Sequence, residues 1–99
     1  MNLRYSEKKI SAFCQHYHIR RMSLFGSVLR DDFDSASDVD VLVEFEPGTR
    51  VSLLQMGAMQ VELSGIMGRE VDLKTAGYIS RYFVQDVLAQ AQPIYERAG

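Results

Sequence analysis

The stretch Ser37–Phe45, SDVDVLVEF, decides the fold. Val39, Val41, Val43 and Phe45 fall on alternate positions, the period of a strand with one buried face. The residues are β-branched or aromatic, the types that suit a pleated, half-buried surface. Asp38 and Asp40 fall on the other alternation, so a strand here points both carboxylates the same way. Isolated carboxylates are costly to bury, so this pair needs compensation. Pro47-Gly48 closes the strand in a turn.

Upstream, RRMSLFG (Arg20–Gly26) reads as a short strand, and SVLRDDF reads as a short helix that starts at Ser27. A glycine at the end of a strand lets backbone approach a ligand closely. A helix beginning at Ser27 offers free N–H groups and a dipole that favour an anion such as phosphate. Arg30, one turn on, can add a charge-assisted contact to that anion. Taken alone, Gly26-Ser27 reads first as an ordinary strand-to-helix turn with a capping serine. Arg30 alone could pair with Asp31, Asp32 or Asp34 at the surface.

Further out, SEKKISAFCQHYHI predicts a first helix capped by Ser6, with Ile10, Phe13, Cys14 and Tyr17 at helical spacing. RVSLLQMGAMQVELSGIMG (50–68) predicts the longest helix, with Leu53, Leu54, Met56, Met59, Leu63, Ile66 and Met67 inward and Gly68 as its stop. REVDLKT predicts a third strand. Ser80 is read as the cap of RYFVQDVLAQAQ, with Phe83, Val84, Val87, Leu88 and Ala91 inward. Pro93 breaks that helix, leaving IYER as a last strand or a frayed tail. Strands and helices alternate around a small mixed sheet, so the fold class is α+β, an α/β two-layer domain.

The chain has 99 residues, the size of a single domain spanning 1–99. A net charge of -2 argues against extended nucleic-acid binding, which needs a basic face. It leaves room for a nucleotide held through metal cations. Cys14 is the one cysteine, so no intrachain disulfide forms, which is compatible with a reducing cytoplasm. The N-terminus lacks an apolar signal region and no apolar run reaches membrane-spanning length, so a cytoplasmic, membrane-free protein is expected.

A third acid, Asp72, lies between Val71 and Leu73 in GREVDLKT. Were its strand to neighbour that of Asp38 and Asp40, three carboxylates would converge. Side-by-side carboxylates repel unless a cation sits between them. All-oxygen ligands suit Mg²⁺ or Mn²⁺ rather than zinc. Two such ions about 3.5–4 Å apart can clamp the attacking and leaving oxygens of a phosphoryl transfer. Lys74 shares a strand face with Asp72 and could reach a phosphate, or simply be a surface lysine. His16 and His18 sit two apart near a helix end, on different faces, and make a poor joint metal site.

GSVLRDDFDSASDVDVLVEF (26–45) resembles the Gly-Ser…Asp-x-Asp signature of the DNA polymerase beta nucleotidyltransferase superfamily. With GREVDLKT and DVLAQAQPIYE downstream, the chain is similar to its minimal nucleotidyltransferases from Met22 to Glu96. The resemblance implies a polymerase beta palm-like fold. It implies that Gly26, Ser27 and Arg30 bind the nucleotide and that Asp38, Asp40 and Asp72 are catalytic, holding two Mg²⁺ ions. The implied reaction moves AMP from ATP to a hydroxyl, with pyrophosphate leaving. Members of this group are antitoxins that pair with HEPN ribonuclease toxins, which implies a complex with such a partner and transfer to its tyrosine. The alternative is an antitoxin that neutralises its partner by complex formation alone.

Overall fold

The computed structural model describes residues 5–26, 38–75 and 90–97. Among the described residues, two helices and four strands follow one another as α1 (Glu7–His16), β1 (Ile19–Phe25), β2 (Val39–Phe45), α2 (Leu53–Met67), β3 (Val71–Thr75) and β4 (Gln92–Glu96). The strands form one mixed sheet in the order β3-β2-β1-β4. β1 pairs antiparallel with β2 and β4, while β2 and β3 run parallel, joined through α2. Parallel neighbours need such a crossover, and a helix is the usual one. This is the small mixed sheet with helices that the alternation of patterns predicts.

One face of the sheet carries the core. Met22, Leu24, Val39, Val41, Val43, Val71 and Leu73 pack there against Ile10, Phe13 and Cys14 of α1 and Met56, Met59, Leu63 and Met67 of α2. Both helix starts are capped by serine, α1 by Ser6 as the sequence predicts and α2 by Ser52, which the structure adds. Ser6 Oγ accepts from the Lys9 N–H and Ser52 Oγ from the Gln55 N–H, each satisfying a donor with no partner inside the helix. Gly68 ends α2 in the left-handed conformation, at φ 67°. Leu53 and Leu54 depart from expectation: both are exposed, as is Val61. The facing set is fixed by Met56, Met59, Leu63 and Met67. At 100° per residue, Leu54 and Val61 then fall on the far side.

Cys14 has no exposure, and burial pushes its thiol up to about 12. Because the thiolate is the reactive form, Cys14 resists thiol reagents at pH 8 until the chain unfolds. A disulfide-exchange chromogen should therefore label it quickly in denaturant and slowly in native buffer.

The chain end settles as a strand. β4 runs from Gln92 to Glu96, so Gln92, expected as the last residue of a helix, is in a strand. Pro93 sits opposite Ser23 on this edge strand, beside a register shift between Met22 and Ser23. An edge strand with a bulge is where a sheet tolerates proline, which lacks a backbone donor. The helices expected from Ser27 and after Ser80 fall mainly outside the described residues. No helix among the described residues is long and apolar enough to cross a membrane.

Candidate active site

β3 is the other edge strand, and α2 covers its open side. The Leu73 N–H donates to Gln60 Oε1 at 2.9 Å and the Val71 N–H donates to Ser64 Oγ at 3.0 Å. The Ser64 hydroxyl in turn donates to the Gln60 carbonyl at 2.8 Å. Side chains of one helix thus occupy the donors that an edge would leave unpaired, and they fix β3 in place. The Val39 N–H donates to the Glu70 carbonyl at 2.9 Å and ties the start of β2 to the start of β3.

This anchoring sets the register of the acids. Val39 pairs with Val71 and Asp40 with Asp72, so each acid is the second residue of its strand. Paired residues share a sheet face, and neighbouring strands lie about 4.8 Å apart. Across the antiparallel pair, Asp40 faces Phe25. The second sheet face therefore carries a row Asp72, Asp40, Phe25 at one end. Both acids are half-buried, and behind Asp40 the side chain of Leu42 is buried as well. Next along the face, Lys74 Nζ lies 3.1 Å from Asp72 Oδ2, with each side chain a little over two-fifths exposed.

Gly26 follows β1 at φ 75°, a conformation L side chains rarely adopt. A Cβ built there would collide with the Asp40 carboxylate, whose Cγ would lie at 3.1 Å. The glycine therefore makes room for the carboxylate itself. The sequence explains this residue by approach to a ligand, while the structure adds a second reason from inside the site.

Sequence-expected residues are placed as follows. Gly26, Asp40 and Asp72 come together at one end of the sheet. Asp38 is exposed and precedes β2, which begins at Val39, so it does not share the strand with Asp40 as the alternation implies. Ser27 and Arg30 lie outside the described residues. Among the described residues, no three acid, histidine or cysteine side chains gather into a metal-binding cluster. Asp40 and Asp72 stand side by side in register, Asp38 lies directly ahead of the strand next to Val39, and Asp72 is ion-paired to Lys74. The donor set is all carboxylate, suited to Mg²⁺ or Mn²⁺. Asp72 moreover already draws a cation, the Lys74 ammonium. Lys74 was legible only as a strand-face neighbour, two residues from Asp72.

A cleft of about 530 Å³, lined by Cys14, His18, Tyr95 and Arg97 among others, lies elsewhere. It adjoins Ile19 at the start of β1, the end opposite Phe25 and the acids.

Two half-buried carboxylates thus stand in register beside a strand-end glycine on a four-stranded mixed sheet. Residues 6–94 match the nucleotidyltransferase domain family, and the chain belongs to it. It is 34% identical over 91 residues to a candidate protein adenylyltransferase of Methanocaldococcus jannaschii, covering 92% of this chain and 96% of that protein. It is 30% identical to the protein adenylyltransferase MntA of Thermococcus cleftensis over 77% of this chain and 75% of that one. Among solved structures, a toxin–antitoxin with AMP-PNP superimposes with TM-score 0.75 at 20% identity, over 93% of this chain and 74% of that one. A complex of a tri-AMPylated Shewanella oneidensis HEPN toxin with its MNT antitoxin superimposes with TM-score 0.62 at 20% identity, over 92% and 70%. These two superpositions show the shared fold.

Proposed function

We propose that this nucleotidyltransferase is a magnesium-dependent protein adenylyltransferase that moves AMP from ATP to a tyrosine hydroxyl of a HEPN toxin, and so acts as its antitoxin. The observation that carries the reading is the in-register pairing of Asp40 with Asp72 beside Gly26. The names of its relatives support adenylyl transfer, and the structural neighbours support ATP and a HEPN partner.

In this reading Asp38, Asp40 and Asp72 hold the divalent cations, two Mg²⁺ or Mn²⁺ ions. Bound there, such cations neutralise phosphate charge and acidify the acceptor hydroxyl. Gly26 and Ser27 cradle the triphosphate and Arg30 contacts it. In the same reading Asp72 orients the acceptor oxygen or takes its proton. The acceptor oxygen bonds to the α-phosphorus as the bond to the β-phosphate breaks, and pyrophosphate leaves.

The test is to incubate the chain and its cognate HEPN protein with ATP and Mg²⁺, then weigh the HEPN protein and map any modified residue by mass spectrometry. An added AMP on tyrosine is the expected result. An unmodified toxin that is nonetheless silenced in the complex points to neutralisation by binding, for which exposed Leu53, Leu54 and Val61 offer apolar contact surface.

A further inference from the structure

We infer that Lys74 is a positioning residue: it serves as the resting counter-cation of Asp72 and surrenders that carboxylate when a divalent cation arrives together with nucleotide. This inference rests on the metal-site reading above. Lys74 and Asp72 alternate on one strand, share a sheet face and meet at 3.1 Å. Asp40 stands in register on the neighbouring strand, so Asp72 has a like charge on one side and an ammonium on the other. The ammonium offsets that repulsion while no metal is bound.

The pair is more than two-fifths exposed on both sides, which makes it a weak and readily exchanged ion pair. Bare metal must displace Lys74 from Asp72, its ion-pair partner among the described residues. Metal that comes with triphosphate brings new negative charge for the released ammonium. Lys74 therefore couples the two ligands, favouring their joint entry over metal alone. Such a coupling is reciprocal between the ligands.

The experiment measures Mn²⁺ binding by electron paramagnetic resonance in the wild-type chain and in Lys74→Met and Lys74→Arg, with and without AMP-PNP. Lys74→Met should bind bare Mn²⁺ about threefold more tightly, the scale of a lost surface ion pair. Its gain in Mn²⁺ affinity on adding AMP-PNP should shrink by a similar factor or more. Lys74→Arg, which keeps the charge, should restore both. Unchanged or weaker bare-metal binding in Lys74→Met overturns the role of Lys74. Wild-type binding that Asp40→Asn leaves intact, or no wild-type binding at all, overturns the metal-site reading and takes this inference with it. Far-ultraviolet circular dichroism identifies an unfolded variant, and Lys74→Gln then replaces Lys74→Met.

Discussion

Asp40→Asn lowers adenylyl transfer by roughly 10³-fold and leaves the fold intact. On the proposed metal-site reading, losing the Asp40 carboxylate removes several kcal/mol of metal-derived stabilisation from the transition state, and each ~1.4 kcal/mol is tenfold in rate. The amide is nearly isosteric, so it keeps the space that Gly26 provides. It also removes one of two like charges that the β2–β3 register holds side by side. The metal-free variant should therefore melt close to the wild-type temperature, because the repulsion it removes is one that the Lys74 ammonium already offsets. Adding Mg²⁺ and AMP-PNP should raise the melting temperature of the wild type and leave that of the variant in place. Thermal scans on the two proteins, with and without ligands, separate the effects. A variant that keeps full transfer rate would show that Asp40 is not a ligand, whatever its neighbourhood.

How much of this was legible beforehand follows from what sets each feature. The valine alternation in β2 is local, so the strand, its core face and its closing turn could be read directly. The cap at Ser6 and the stop at Gly68 are local as well; the equally local cap at Ser52 came only with the structure. Pairing between strands is not local. That Asp40 meets Asp72 depends on parallel register, which Gln60 and Ser64 help fix from a helix between the two strands. Only a conditional statement about convergence was available from sequence. The start of β2 one residue later than the alternation suggests puts Asp38 outside the ladder, because its hydrogen bonding begins at the Val39 N–H to Glu70. Leu53 and Leu54 mislead for a related reason. Hydrophobic character says that a helix can bury them, but its rotation is decided by which methionines meet the sheet. The Lys74 pairing follows from i, i+2 spacing, yet the same spacing describes any surface lysine on a strand. What the residue does depends on the acid across the sheet.

Gly26→Ala lowers transfer by about 10²-fold and costs stability as well. Two effects act together. Alanine at φ 75° enters the left-handed region, a strain of about 1–2 kcal/mol. Its Cβ also contests the space of the Asp40 carboxylate, whose Cγ would stand only 3.1 Å away. Oδ2 is the end of a short side chain, so relief comes from rotating the carboxylate out of place rather than moving the backbone. A misplacement of about 1 Å at a reacting centre can cost about 10²-fold. Gly68→Ala supplies the control, because Gly68 has a similar φ of 67° and no atom within 4 Å of a built Cβ. It should lose comparable stability and keep its transfer rate. Measured together, melting temperature and rate divide backbone strain from displacement of Asp40. Equal rates in the two variants would mean that Gly26 serves the turn alone and that the carboxylate finds its place without it.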